Sequence, residues 1–320
     1  MKPTMKVGFI GLGTMGASMA ANLQKAGYAL TVHDVRRKAA EPHVGRGATW
    51  AETPRQVAEE AEVIFTALPG PPEVEAVALG PDGLLAGLRP GGVYFDLSTN
   101  SPAMVRKIHA AFAAQGKQVL DAPVSGGPRG AATGRLTLWV GGDEQVLERY
   151  RPVLEAFSDN VRFVGPIGAG SITKLVHNCV GRVLTAALAE GFTLGVKAGM
   201  EPLALFESIR DGVIGRRRTF DGLIDQFLTR TFEPAAFTLR LAHKDVALAT
   251  AVARELGVPM RLTNLTLEEM TEALNRGWGE LDTRAFTMLQ QERAGVRIAV
   301  DPERLKAALV RGSRSGTEGT

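Results

Sequence analysis

Residues 7–16 read VGFIGLGTMG, and this stretch decides how the rest of the chain is read. VGFI is a short apolar run of the kind that forms a buried strand. Gly11, Gly13 and Gly16 follow, and the segment TMGASMAANLQKAG then has helical periodicity. Glycines spaced G-x-G-x-x-G between a strand and a helix let the backbone approach a pyrophosphate, which sits on the helix N-terminus. So Gly11, Leu12, Gly13, Thr14, Met15 and Gly16 are candidate dinucleotide ligands. The pattern is weak alone, but its context strengthens it. ALTVHD is a second strand, and Asp34 ends it about 20 residues further on, where an acid binds the ribose 2′-OH. The charge of Asp34 repels a 2′-phosphate and favours NAD. Arg36 and Arg37 come next, and a guanidinium can hold that phosphate, so NADP stays open. The plain alternative is a tight strand–helix turn in which Asp34 is a local cap.

Working outward, the first half continues as alternating strands and helices. TPRQVAEEA opens with a Thr cap and a proline and predicts a helix. EVIFTALPG, GGVYFDLST, KQVLDAPVS and LTLWVGG read as further strands. Alternation of this kind predicts a parallel, doubly wound sheet, which binds ligands at the carboxyl ends of its strands. Those ends read GLGTMG, HD, LPG, LST and PVSGG, all glycine-rich or polar. From Ser171 onward the texture is helical. One long candidate ends at Gly199, and several shorter ones are each closed by a glycine. The expected fold class is α/β: an N-terminal Rossmann domain over residues 1–168, then an all-α domain over 169–300 joined by a long interdomain helix. Residues 301–320 read as a helix remnant with a Gly/Ser-rich disordered tail.

Composition narrows the function classes. Lys plus Arg is 37 against 34 for Asp plus Glu, so the net charge is only +3. VRRK and GRRRTF are short and carry no interleaved aromatics of the kind that stack bases, so no nucleic-acid partner is expected. The longest apolar run, Leu175 to Ala198, is broken by Arg182, Glu190 and Lys197, so no membrane span is expected. There is a single cysteine, Cys179, which fits a reducing cytoplasm and reads as a small packing residue. No signal peptide is expected before the first strand. The five histidines have no metal-ligand spacing, and no metal is expected.

The motifs together resemble the β-hydroxyacid dehydrogenases, the group of 3-hydroxyisobutyrate dehydrogenase, tartronate semialdehyde reductase and 6-phosphogluconate dehydrogenase. VGFIGLGTMGASMAANLQKAGY looks like the N-terminal signature of that family and DAPVSGGPRGAATGRLTLWVGG like its substrate-binding segment. GAGSITKLVHN looks like the catalytic segment, and FEPAAFTLRLAHKDVALA like a late lysine segment. The resemblance covers nearly the whole chain. It implies Lys174 as the catalytic lysine with Asn178 assisting, and Ser125, Gly126 and Gly127 as holders of a substrate carboxylate. It further implies that Leu68, Pro69 and Thr99 line the cofactor and that Lys244 reaches its nicotinamide end. A homodimer or homotetramer is implied through the helical domain.

The chemistry explains why these residue types belong there. Oxidising an alcohol by hydride transfer leaves a proton for the protein to remove. A lysine serves as that base only when burial or nearby cations pull its pKa well below about 10.4. The bland alternative for Lys174 is a snorkelling surface lysine. Asn178 lies four residues on, one turn along the same helix face. His177 is offset from that face, and either contacts substrate, as in the 6-phosphogluconate branch, or packs the helix. PVSGG offers a hydroxyl and several N–H groups to a carboxylate, or is a plain loop. Lys244 beside Asp245 is a cofactor contact or a surface charge pair. Arg216, Arg217 and Arg218 form a solvated basic turn or supply a second anion site.

The expected function is NAD(P)-dependent hydride transfer with a small 3-hydroxy acid of the 3-hydroxyisobutyrate or glycerate kind. Imine-reducing relatives replace the lysine, which Lys174 argues against. The 6-phosphogluconate branch carries a much longer helical tail than 320 residues allow. A non-catalytic dinucleotide-binding relative is the rival from a different class.

Overall fold

VGFI folds within the strand it predicts, and strands and helices largely alternate after it. A computed structural model describes residues 5–216, 224, 226–295 and 297–307. It divides into two units, Met1–Val180 and Gly181–Thr320.

The first unit begins with β1 (Lys6–Ile10), α1 (Gly16–Lys25), β2 (Ala29–His33), α2 (Arg37–Val44) and β3 (Thr49–Trp50). It continues with α3 (Pro54–Glu60), β4 (Val63–Thr66), α4 (Pro71–Leu79), α5 (Leu84–Gly87) and β5 (Val93–Asp96). Then come α6 (Pro102–Ala113), β6 (Gln118–Asp121), β7 (Val124–Ser125), α7 (Gly127–Thr133), β8 (Leu136–Gly141), α8 (Glu144–Leu154) and β9 (Ser158–Gly165). The Thr53 side chain accepts from the N–H of Gln56, with Pro54 in the first turn, as the TPRQ sequence predicts. Ser101 and Pro102 start α6 in the same way.

The sheet runs β3-β2-β1-β4-β5-β6-β8-β7, with β9 against β8. Every residue of β4 and β5 is buried, as expected where helices cover both faces. Successive residues point to opposite faces and build two cores. Phe9, Phe65, Phe95 and Phe157 pack on one side. Ile64, Tyr94, Ile108 and Phe112 pack on the other. The parallel order holds from β3 to β6. Beyond it the sheet departs from the parallel expectation, because β8 lies antiparallel to both β6 and β7. KQVLDAPVS is accordingly two strands, broken at Ala122 and Pro123, where proline has no N–H for a ladder.

The long helix is real: α9 spans Ala169–Lys197, starting two residues before Ser171, and the division between units falls within it. The second unit adds α10 (Pro202–Asp211), α11 (Val213–Arg216), α12 (Leu239–Glu255), α13 (Arg261–Asn275) and α14 (Thr287–Arg293). Its described cores are small, with Leu239, Met270, Ala273 and Leu289 forming one of them. Polar caps supplement them. The Glu190 carboxylate accepts from the N–H groups of Leu262 and Thr263 and from the Thr263 hydroxyl, closing the start of α13. Asp282 is fully buried and accepts from the N–H groups of Ala236 and Arg284. Residues 302–307 are helical, and the expected disordered tail lies outside the described residues. Among the described residues no helix is long and apolar enough to cross a membrane.

Candidate active site

The carboxyl ends of the parallel strands open onto a cavity of about 710 Å³. Gly11, Gly13, Thr14, Met15 and Gly16 line it, together with Asp34, Arg36, Leu68, Pro69, Thr99, Gly127 and Lys174. Most of the residues expected to touch cofactor therefore meet in one place, and the lysine meets them there.

The three glycines are needed for different reasons. A Cβ on Gly16 would lie 1.9 Å from the Gly11 carbonyl oxygen, so that position serves the packing of turn against helix. Gly11 has φ +90°, and its Cβ would lie 2.4 Å from the Ala67 carbonyl. Gly13 faces open space, with nothing within 4 Å of a Cβ built there. The protein itself does not require Gly13 to be small, and that open face lines the cavity. Leu12 takes no part in the lining. Its side chain is buried in the core and its N–H donates to Asp34 Oδ2 at 2.7 Å. Asp34 Oδ1 accepts from the Arg36 N–H at 2.8 Å and lies 3.5 Å from the Arg36 guanidinium. Arg37 sits over the Trp50 ring and reaches Glu52 instead. Of the two arginines, only Arg36 faces the cavity.

A second group of residues lies beneath this surface, and the motifs did not reveal it. Asp96, at the end of β5, is buried, and that burial raises its carboxyl pKa against the pull of its hydrogen bonds. It accepts from the Thr66 hydroxyl at 3.1 Å, the Ser98 N–H at 3.0 Å and the Asn100 amide at 2.9 Å. Ser98 Oγ in turn accepts from the Leu68 N–H at 3.0 Å. Asp121, at the end of β6, accepts from the N–H groups of Gly168 and Ser171 at the start of α9. The available signal was an aspartate ending an apolar strand, in VYFD and in QVLD.

Lys174 lies in the second turn of α9, half-buried, and burial pulls its pKa below the ordinary lysine value. His177 Nε2 is 3.3 Å from Ser125 Oγ, and its ring tilts against Trp139 at 5.0 Å between centroids. The histidine thus joins the PVSGG segment, and Trp139 is a neighbour that sequence reasoning missed. Asn178 is exposed one turn beyond Lys174. Ser125, Gly126, His177 and Asn178 are not among the cavity-lining residues. Arg216 is exposed at the end of α11; Arg217 and Arg218 lie outside the described residues, as do the side chains of Lys244, Asp245 and Cys179. Among the described residues no group of three or more His, Cys, Asp or Glu side chains could hold a metal ion.

Residues 6–165 match the NAD binding domain of 6-phosphogluconate dehydrogenase. Residues 168–289 match the NAD-binding family of NADP-dependent 3-hydroxyisobutyrate dehydrogenase. The chain belongs to the β-hydroxyacid dehydrogenase family. It is 38% identical over 291 residues to an NAD-dependent L-serine dehydrogenase of Pseudomonas aeruginosa, covering 89% of this chain and 97% of that protein. It is 40% identical over 253 residues to the 3-hydroxyisobutyrate dehydrogenase of the same organism, covering 78% and 85%. Among solved structures, Mycobacterium tuberculosis 3-hydroxyisobutyrate dehydrogenase with L-serine aligns at TM-score 0.63 and 31% identity, over 91% of this chain and all of that one. As a β-hydroxyacid dehydrogenase this chain is an NAD(P)-dependent oxidoreductase of hydroxy acids. The cavity agrees: the open face of Gly13, the buried Asp34 and the apolar wall of Leu68, Pro69 and Val77 fit a dinucleotide.

Proposed function

We propose that this β-hydroxyacid dehydrogenase interconverts a small 3-hydroxy acid and its 3-oxo acid, with Lys174 as the general acid and base. One observation carries the reading: a half-buried lysine with a depressed pKa lines the same cavity as the glycine loop. Bound there, the nicotinamide would supply the hydride acceptor. The protein does the rest. Neutral Lys174 takes the hydroxyl proton during oxidation, and its ammonium returns it during reduction. Asn178, one turn along, positions the substrate oxygen. Ser125 Oγ and His177 Nε2, already neighbours, donate to the carboxylate together with the N–H groups of Gly126 and Gly127. On the same reading residues 1–168 serve the dinucleotide and 169–300 complete the substrate site and the oligomer.

NAD is the preferred cofactor. Asp34 is buried with both oxygens engaged, and its charge disfavours a 2′-phosphate, while Arg36 gives NADP a weaker foothold. The working form is a homodimer or homotetramer, supported by the apolar side chains that the second unit leaves exposed. The single cysteine suits a cytoplasmic setting. The test is a panel of hydroxy acids, L-serine, glycerate, 3-hydroxyisobutyrate and 4-hydroxybutyrate among them, assayed with NAD and NADP in parallel. Turnover should appear with 3-hydroxy acids and be faster with NAD. Tight NADH binding without turnover of any hydroxy acid would overturn the reading.

A further inference from the structure

Three aspartates close the carboxyl edge of the sheet, and all three are buried: Asp34, Asp96 and Asp121. Each accepts hydrogen bonds from backbone N–H groups of a different loop. Asp34 lines the cavity and has a ligand-binding role. Asp96 and Asp121 do not line it, although they are register partners at the ends of neighbouring strands, and Leu97, Ser98 and Thr99, which follow Asp96, do. A buried carboxylate is costly unless its oxygens are satisfied, so these two hold their loops as firmly as the loops hold them.

We propose that Asp96 and Asp121 are positioning residues with separate duties: Asp96 sets the two loops that receive the cofactor, and Asp121 sets the helical turn that presents Lys174. The second duty rests on the reading of Lys174 as the base.

The connections are direct. Asp96 binds Thr66 at the end of β4 and the Ser98 N–H just past β5. Through Ser98 Oγ it also fixes the Leu68 N–H. Leu68 and Ser98, which line the cavity from those two loops, are therefore tied to one carboxylate. Asp121 binds on the other side of the edge. Its Oδ1 accepts from Gly168 N–H at 2.8 Å and its Oδ2 from Ser171 N–H at 2.6 Å. Gly168 immediately precedes α9 and Ser171 lies in its first turn, where N–H groups have no partner within the helix. The fit is close in backbone terms as well. A Cβ on Gly170 would lie 2.3 Å from the Trp139 carbonyl and 2.7 Å from that of Asp121. Lys174 is one turn from Ser171, so a slip of this turn moves the lysine with it. Displacement of a catalytic group by about 1 Å costs on the order of 10²-fold in rate. Among the described residues the Asp121 side chain makes no hydrogen bond to the glycine loop, so cofactor affinity should not follow.

Asp121→Asn, Asp121→Ala and Asp96→Asn are to be compared by fluorescence titration with NADH and by steady-state turnover with NAD and the best 3-hydroxy acid of the panel. Asp121→Asn keeps the shape but turns one acceptor into a donor facing an N–H. It should lower kcat about tenfold or more, and Asp121→Ala further, with the NADH Kd unchanged within about twofold. Asp96→Asn should raise the NADH Kd and the KM for NAD about tenfold, with kcat at saturating NAD largely kept. Hydrogen exchange adds a readout that needs no substrate: residues 168–174 should lose protection in the Asp121 variants only, and residues 66–68 and 97–100 in Asp96→Asn only. If the variants alter kcat and NADH affinity in parallel, or alter neither, the separate duties are refuted. The double variant Asp121→Asn with Lys174→Ala isolates the dependence on the base. Turnover no lower than that of Lys174→Ala alone shows that Asp121 acts through the lysine, and a further tenfold loss shows that it does not. Should Lys174→Ala itself retain turnover, the general-base reading falls, and the NADH and exchange results still decide the Asp96 duty.

Discussion

The two units of this chain bury their apolar residues to very different degrees. In the first, β4 and β5 are covered on both faces and the large aromatics Phe9, Phe65, Phe95 and Phe112 are fully buried. In the second, Leu188, Leu203 and Leu265 are each more than half exposed, and Ile214 is 81% exposed. Its described cores hold few residues each. A doubly wound sheet completes its own burial because helices return to both faces. A set of helices gains stability only where their apolar faces find a partner. The contrast therefore separates a unit with a large two-sided core from one that leaves several of its described large apolar side chains exposed.

Within the first unit the sharpest test is Lys174→Ala. It should cost about 10²–10⁴-fold in kcat with NADH binding intact; turnover within tenfold of the parent would end the general-base reading. Phe65→Ala should cost about 3–5 kcal/mol in denaturant unfolding of the first unit, because a rigid double-sided core cannot collapse around the hole. Gly16→Ala should cost about 1–3 kcal/mol, since a Cβ there meets backbone rather than a movable side chain. Gly13→Ala, facing open space, should leave stability unchanged and weaken NADH binding; equal stability losses at both glycines would erase the distinction between packing and ligand space.

The pH dependence follows from the depressed pKa of Lys174. If Lys174 is the proposed base, oxidation needs its neutral amine, so kcat/KM should rise with pH and level off below the ordinary lysine range near about 10.4. Reduction needs the ammonium and should show the opposite limb. In the window between the folded and unfolded pKa the folded chain binds fewer protons, so stability also rises with pH there. Lys174→Met should abolish both the kinetic limb and that rise. The smallest thermodynamic effect belongs to the second unit. Leu203→Glu should change monomer stability by less than about 0.5 kcal/mol yet lower the mass measured by light scattering. An unchanged mass would mean that this part of the surface is simply solvated.

Much of the site was legible because its chemistry is local in sequence. The glycine loop, Asp34 at the end of its strand and the Thr53 cap each depend on residues a few positions apart, where backbone geometry alone dictates the residue type. Lys174 was legible through its segment, whereas its burial was not. Asp121 went unread because its partners are distant, and Asp96 because only part of its network is local. Asp121 meets Ser171 across 50 residues, and the Asp96 network reaches back to Thr66 and Leu68. The turn at Pro123, the antiparallel return of β8 and the pairing of His177 with Ser125 were settled in the same way. The sequence by itself determined the alternating α/β texture followed by helices, the dinucleotide loop and the family, since periodicity, glycine spacing and short motifs encode them. Only the tertiary structure decided which polar groups are buried together, which arginine faces the cavity and how the lysine is held. Desolvation and hydrogen-bond partnership are properties of neighbours in space, and the chain order does not contain them.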